Sequence, residues 1–93
     1  MLEITNESIY KVRKSLAIKN ILNETFFILD SDTGKQYNLT EMEYEIMDCI
    51  SKGMNFGNII DILGNEYNAS YKQIQDDLKE YITSLIEEGL IFG

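Results

Sequence analysis

The sequence contains no histidine, no proline and one cysteine, Cys49. Without histidine, the side chain that most often serves as a general base near neutral pH is missing. A lone cysteine excludes an intrachain disulfide and a cluster of soft metal ligands. Cys49 also falls on an apolar helical face, where a buried, inert thiol is expected. The absence of proline leaves helix and strand runs uninterrupted, so the six glycines carry the punctuation. No apolar run approaches the ~20 residues of a membrane span, and residues 1–20 lack a continuous apolar signal core. A cytoplasmic protein without a membrane partner is expected.

What is present fits one small globular domain covering 1–93, with residues 1–7 polar and expected to fray. Hydrophobic residues make up 44% of the chain and charged residues 26%, outside the disordered range. The net charge of -8 is unevenly placed. Residues 1–40 balance five basic against five acidic side chains, whereas residues 41–93 carry three basic against eleven acidic. The second half should repel a phosphate backbone and attract a basic partner. Asn-x-Ser/Thr triplets beginning at Asn6, Asn23, Asn38 and Asn68 read as chance without a secretory signal.

Along the chain, residues 8–16 (SIYKVRKSL) alternate and predict an edge strand, with a turn over 18–23. Residues 25–29 (TFFIL) form a continuous β-prone run that predicts a central strand. The turn formers DSDTG at 30–34 and the alternating KQYNL at 35–39 complete a hairpin. Thr40 and Glu43 have capping-box spacing at the start of a first helix that runs to about Lys52 and stops at Gly53. Its apolar face is Met42, Ile46, Cys49 and Ile50. Asn55 can cap a second helix with Ile59, Ile60, Ile62 and Leu63 as buried candidates, and Ser70 with Gln73 forms a second capping box. The third helix, 70–88, gathers Tyr71, Ile74, Leu78, Tyr81, Ile82, Leu85 and Ile86 into an arc of roughly 140°. Gly89 ends it, and Leu90, Ile91 and Phe92 extend as a wing or clasp strand. The class is α+β: a three-stranded antiparallel sheet followed by three helices, winged-helix-turn-helix-like.

Catalytic readings are weak. Asp76-Asp77 and Glu87-Glu88 are adjacent pairs that diverge around a helix instead of converging on one substrate atom. Asp30, Asp32 and Lys35 around Gly34 lack the further ligands of a calcium loop. No metal, cofactor or enzymatic activity is expected. The helix order admits a winged-helix DNA-binding regulator, but the third helix sets Lys72 and Lys79 against Asp76, Asp77, Glu80, Glu87 and Glu88 and has no arginine for guanine. A nucleic-acid partner is therefore not expected. A small dimeric structural subunit, its apolar strands pairing with a copy, is a third possibility. The remaining reading uses the hairpin: strand 35–39 at the sheet edge offers unpaired N–H and C=O groups beside the apolar arc, where a peptide can add as another strand. Lys35, Gln36, Tyr37, Asn38 and Leu39 would supply the edge, and Tyr71, Ile74, Asp77, Leu78 and Tyr81 the groove. Tyr71 and Tyr81 are favoured because each joins a large face to a hydroxyl that wants a polar partner. Asp77 and its acidic neighbours should favour Lys or Arg in that peptide.

The runs ETFFILDSDTGKQYNLTEMEYEIMDCISKG and FGNIIDILGNEYNAS, and a long helix ending LIEEGLIF, resemble the PqqD-like family, also called the RiPP recognition element, over about residues 22–92. The resemblance implies three antiparallel strands, then three helices. It implies a non-catalytic adaptor, monomeric or weakly dimeric, that binds the leader of a ribosomally made precursor peptide. The adaptor would present that precursor to a modifying enzyme or leader protease. In the family the leader adds against the third strand and lies beside the third helix, here 35–39 and 70–88. After Leu39 many members have an Asn-x-Thr-small run and an aromatic, often Trp, in the first helix; this chain reads Thr40-Glu-Met-Glu-Tyr44. Lasso-peptide, radical-SAM and PQQ-like pathways all stay open.

Overall fold

The computed structural model describes residues 3–93. Its elements are β1 (Lys11–Val12), β2 (Leu16–Ile21), β3 (Thr25–Asp30), β4 (Gln36–Leu39), α1 (Glu41–Ser51), α2 (Phe56–Glu66), α3 (Tyr71–Glu87) and β5 (Ile91–Phe92). Strands β2, β3 and β4 form an antiparallel sheet in that order, and β1 pairs with β5 in a separate two-stranded ribbon. The class, the β3–β4 hairpin and the terminal clasp strand agree with the reading of the sequence.

The first strand of the sheet does not. Residues 8–16 were expected to form it, yet only Lys11–Val12 is strand there, and it pairs with β5 instead. The sheet strand is Leu16–Ile21, which occupies most of the expected turn over 18–23. The chain reverses on Leu22 and Asn23, both left-handed at φ 55° and 56°, without a glycine to signal it. The Asn20 side chain takes the place of that glycine: its carbonyl accepts the Asn23 N–H at 2.9 Å and its amide donates to the Asn23 side chain at 2.9 Å.

One face of the sheet is built from Leu16 and Ile18, then Phe26, Ile28 and Asp30, then Tyr37 and Leu39, with Ile18, Ile28 and Tyr37 in cross-strand register. Ile28 is fully buried and shares one core with Ile46, Met47 and Ile50 of α1, Phe56, Ile59, Ile60 and Leu63 of α2, and Ile74, Leu78, Ile82 and Leu85 of α3. Met42 and Ile62 sit half-buried at the margin of this core. The helix ends follow their side chains. Thr40 and Glu43 make both capping-box bonds, at 3.1 and 2.8 Å, and Gly53 terminates α1 at φ 82°. Ser70 accepts the Gln73 N–H at 3.2 Å, but the Gln73 side chain donates to Asp77 at 2.9 Å, so the second box is only half made.

Residues 1–7 were expected to fray. Met1 and Leu2 lie outside the described residues, while Thr5 to Ser8 form a turn closed by a 3.0 Å backbone bond. The carbonyls of Ser8 and Asn6 accept the Phe56 and Gly57 N–H groups at 2.9 and 2.8 Å, and the Asn55 side chain takes that of Asn58. These are the first-turn donors that a helix cannot satisfy itself. The segment therefore caps α2 with its backbone, and a Cβ on Gly57 would stand 3.1 Å from the Asn6 carbonyl oxygen and Cβ.

Asp30, buried at the end of β3, accepts a 2.6 Å bond from Arg13, which also donates to the Gly89 carbonyl at 3.3 Å and to Ser15 at 3.2 Å. Burial alone would raise the Asp30 carboxyl, but the Asp32 N–H, the Ser15 hydroxyl, Arg13 and the Thr33 hydroxyl outweigh it and hold the group below its ordinary value. Between α1 and α2 the balance runs the other way. A hydrogen bond shared with Glu66, then burial and the repulsion of Glu66 and Glu41, push the Glu45 carboxyl up to about 7, with the Tyr67 hydroxyl opposing. Its Oε2 is enclosed without a hydrogen-bond partner, which is costly for a charged carboxylate.

Two outcomes are expected. Gly57→Ala should destabilise the domain by about 1 kcal/mol in a urea titration and speed hydrogen exchange at the Phe56 amide, because the cap must move to admit the methyl; unchanged stability and exchange would show the cap to be dispensable. Glu45 holds its proton more tightly folded than unfolded, so stability should fall as pH rises from the ordinary carboxylate range to about 7. Glu45→Gln, a mimic of the protonated form, should raise the melting temperature at pH 8 and leave it nearly unchanged at pH 5.

Candidate functional site

The edge strand β4 and the C-terminal half of α3 enclose a groove. The bond from the Asp30 N–H to the Lys35 carbonyl, 2.9 Å, sets the phase of the β3–β4 ladder. Alternation then turns the backbone groups of Tyr37 and Leu39 toward β3 and those of Gln36 and Asn38 toward the open edge. Side chains alternate the opposite way in effect: Tyr37 and Leu39 face the helices half-buried, and Gln36 and Asn38 are exposed on the outer face, joined by a 3.1 Å bond. One strand thus offers backbone pairing through two residues and an apolar wall through the two that alternate with them.

Between this wall and α3 lies a cavity of about 230 Å³. Its floor is Ile28, Leu85 and Leu90, all buried; Tyr37, Leu39 and Tyr81 form the sides; Glu43, Ser84 and Glu88 line the mouth, and Asn38, its side chain on the outer face, borders it from the strand edge. A cavity of about 150 Å³ accepts a benzene ring, so this one has room for a single large side chain. Burial, reinforced by the Glu43 and Glu88 carboxylates, pushes the Tyr81 phenol well above its ordinary value, so it stays a neutral hydroxyl. Burial and the Asp48 charge likewise raise the Cys49 thiol, which suits packing and not nucleophilic chemistry. Among the described residues, no three His, Cys, Asp or Glu side chains are grouped to hold a metal ion.

Of the residues singled out in the sequence, Tyr37, Asn38, Leu39 and Tyr81 line this cavity. Asp77 lines a shallow depression next to it with Glu80, Tyr81 and Ser84, and its carboxylate accepts from Gln73. Gln36 belongs to the strand edge but points outward, and Lys35 sits in the turn outside the cavity lining. Three expectations need correction. Ile74 and Leu78, 5% and 1% exposed, point into the core instead of the groove. Tyr71 is exposed, but it lines a separate depression between α2 and α3 with Ile60, Asp61 and Gly64, about 15 Å from Tyr81 along the helix. The arc of α3 is wide because it packs on α2 and the shared core and meets β5 at its end, while only one flank of its last turns faces β4 across the cavity.

Glu43, Ser84, Glu88 and Leu90 were not singled out for the groove. A signal for the α3 members existed: Tyr81, Ser84, Leu85 and Glu88 follow the i, i+3, i+4, i+7 spacing of one helical face.

Comparison with known proteins places the fold. The solved structure "TbiB1 in Complex with the TbiA(beta) Leader Peptide" is 20% identical and superposes with a TM-score of 0.80 over 89% of this chain and 95% of that one. "Lasso peptide synthetase B1 complexed with the leader peptide" is 19% identical, with a TM-score of 0.80 over 92% and 100%. No curated protein matches the sequence. The family model described as Coenzyme PQQ synthesis protein D (PqqD) matches residues 25–91, a span that runs from the first residue of β3 through α3 to β5 and includes both walls of the groove. By that match the chain belongs to the PqqD family.

Proposed function

We propose that this protein is a non-catalytic adaptor that binds the leader segment of a ribosomally synthesised precursor peptide and presents it to a modifying enzyme or leader protease. The observation that carries the reading is the coincidence, on one edge, of an unpaired β4 backbone and a cavity sized for one side chain. An extended peptide pairing with Gln36 and Asn38 would direct alternate side chains into the groove along Tyr37, Leu39 and Tyr81. Family membership supports this, and the two similar structures are, by their descriptions, complexes with leader peptides. Two or three buried anchors at roughly 1.5–3 kcal/mol each contribute about 3–9 kcal/mol before ordering costs, so affinity of about 1 μM, which needs about 8 kcal/mol, also requires the backbone pairing along β4. The exposed face of α3 carries Asp76, Asp77, Glu80 and Glu87, which disfavours a DNA backbone in the same place.

The test is fluorescence anisotropy with a labelled peptide spanning the leader of a small precursor encoded beside this gene. Saturable binding near micromolar is expected, with no retention of random duplex DNA. The absence of leader binding at tens of micromolar, with duplex retained, would overturn the reading. Tyr81→Ala should weaken the leader at least about tenfold, as expected for removing one aromatic anchor. The thermal melt should shift little, since Tyr81 is half-buried at the groove wall; a collapsed melt would assign the residue to the core.

A further inference from the structure

The mouth of the cavity is anionic on both sides, and among the described residues no cation lines it. Glu43 comes from the first turn of α1 and Glu88 from the C-cap of α3, while no lysine or arginine lines the space between them. Among the described residues neither takes part in a salt bridge: Arg13 is bound to Asp30, Lys52 to Asp48 and Lys72 to Asp76. The Glu43 Oε1 accepts the Thr40 N–H, which uses part of its capacity as an acceptor. Glu88 stands where a carboxylate is least favoured. It is at the negative end of the α3 dipole, next to Glu87, and the last turn of the helix has no basic residue. Beneath this mouth the surface is apolar.

An aliphatic stem under a positive head fits that arrangement, because it buries methylenes on the floor and leaves the charge at the rim. Resting on the peptide-binding function proposed above, we infer that the groove selects an extended peptide with a Lys or Arg at an inward-facing position. The stem of that residue lies on Tyr37, Tyr81 and Leu90, and its head sits between Glu43 and Glu88. A residue opposite Tyr37 or Leu39 on an added strand shares their face, so the basic residue recurs at one fixed parity of the bound segment. Asp77 and Glu80, in the adjacent depression, extend the negative field along the approach.

The test begins with a surface-displayed library of random 14-residue peptides selected against the full chain. Enriched sequences should share a Lys or Arg at one aligned position. A synthetic binder should lose about tenfold in affinity when that residue becomes Gln, and the wild-type binder should lose about as much against the Glu43→Gln/Glu88→Gln double variant, as expected for a charge-assisted contact. The two losses should not add, since each removes the same contact. Glu43→Gln keeps an acceptor for the Thr40 N–H, and Glu88→Gln removes an unfavourable charge, so the double variant should melt no lower than the wild type. Binders enriched without a shared basic position, or bound equally by the double variant, would overturn this inference and leave peptide binding intact. An empty selection would overturn both.

Discussion

The buried Asp30 carboxylate is the point at which the sheet, the terminal ribbon and the end of α3 are tied together. It sits at the last residue of β3, bonded through Arg13 to the Gly89 carbonyl and through its own Oδ1 to the Asp32 N–H. The Arg13 N–H also donates to the Leu90 carbonyl at 3.0 Å. An ion pair with a buried carboxylate and a part-exposed arginine is weak grounds for net stability, because desolvation of the carboxylate offsets much of the attraction. Its value here is positional. A buried charge tolerates few geometries, and this one fixes Leu90, the floor of the groove, relative to the hairpin that supplies its wall.

The groove is assembled from parts that the core has already placed. Ile28 and Leu85 serve both as core and as cavity floor, so the site cannot widen without disturbing the packing of the sheet on α3. The charged groups at the mouth, Glu43 and Glu88, come from helix ends, where side chains are freed from packing. The result is a rigid apolar base with an electrostatic rim, the division of labour common in small binding sites.

Much of this was readable from residue order. The β3–β4 hairpin followed from a continuous apolar run, a dense turn and an alternating run; α1 followed from Thr40 and Glu43; the stops at Gly53 and Gly89 followed from the need for positive φ. The misplaced β2 has a physical cause. Its turn uses Leu22 at φ 55°, 85% exposed, and is stabilised by an asparagine pair that composition does not separate from a loop. The capping of α2 by residues 6 and 8 was invisible because it is made by backbone carbonyls, which every residue has. In the site, Tyr37, Leu39 and Tyr81 were legible as apolar residues on the right elements. Ile74 and Leu78 were misassigned because a helical arc gives the width of an apolar face and not which neighbour covers each part of it. Glu88 was weighed only as half of a diverging acidic pair and as part of the charge of α3, although its place at a helix C-terminus marked it as costly.

The alternation along β4 has a consequence for the proposed peptide partner as well. Gln36 and Asn38 carry their side chains on the face of the sheet away from the helices. A strand added beside them inherits the same two-sidedness: every second residue is enclosed, and those between remain in solvent, continuous with the outer face of β3 and its half-exposed Leu29. Under the proposed binding mode, two messages could therefore be written in one short stretch of peptide, one in the odd positions for the groove and one in the even positions left in solvent. Selection can alter either message with little effect on the other.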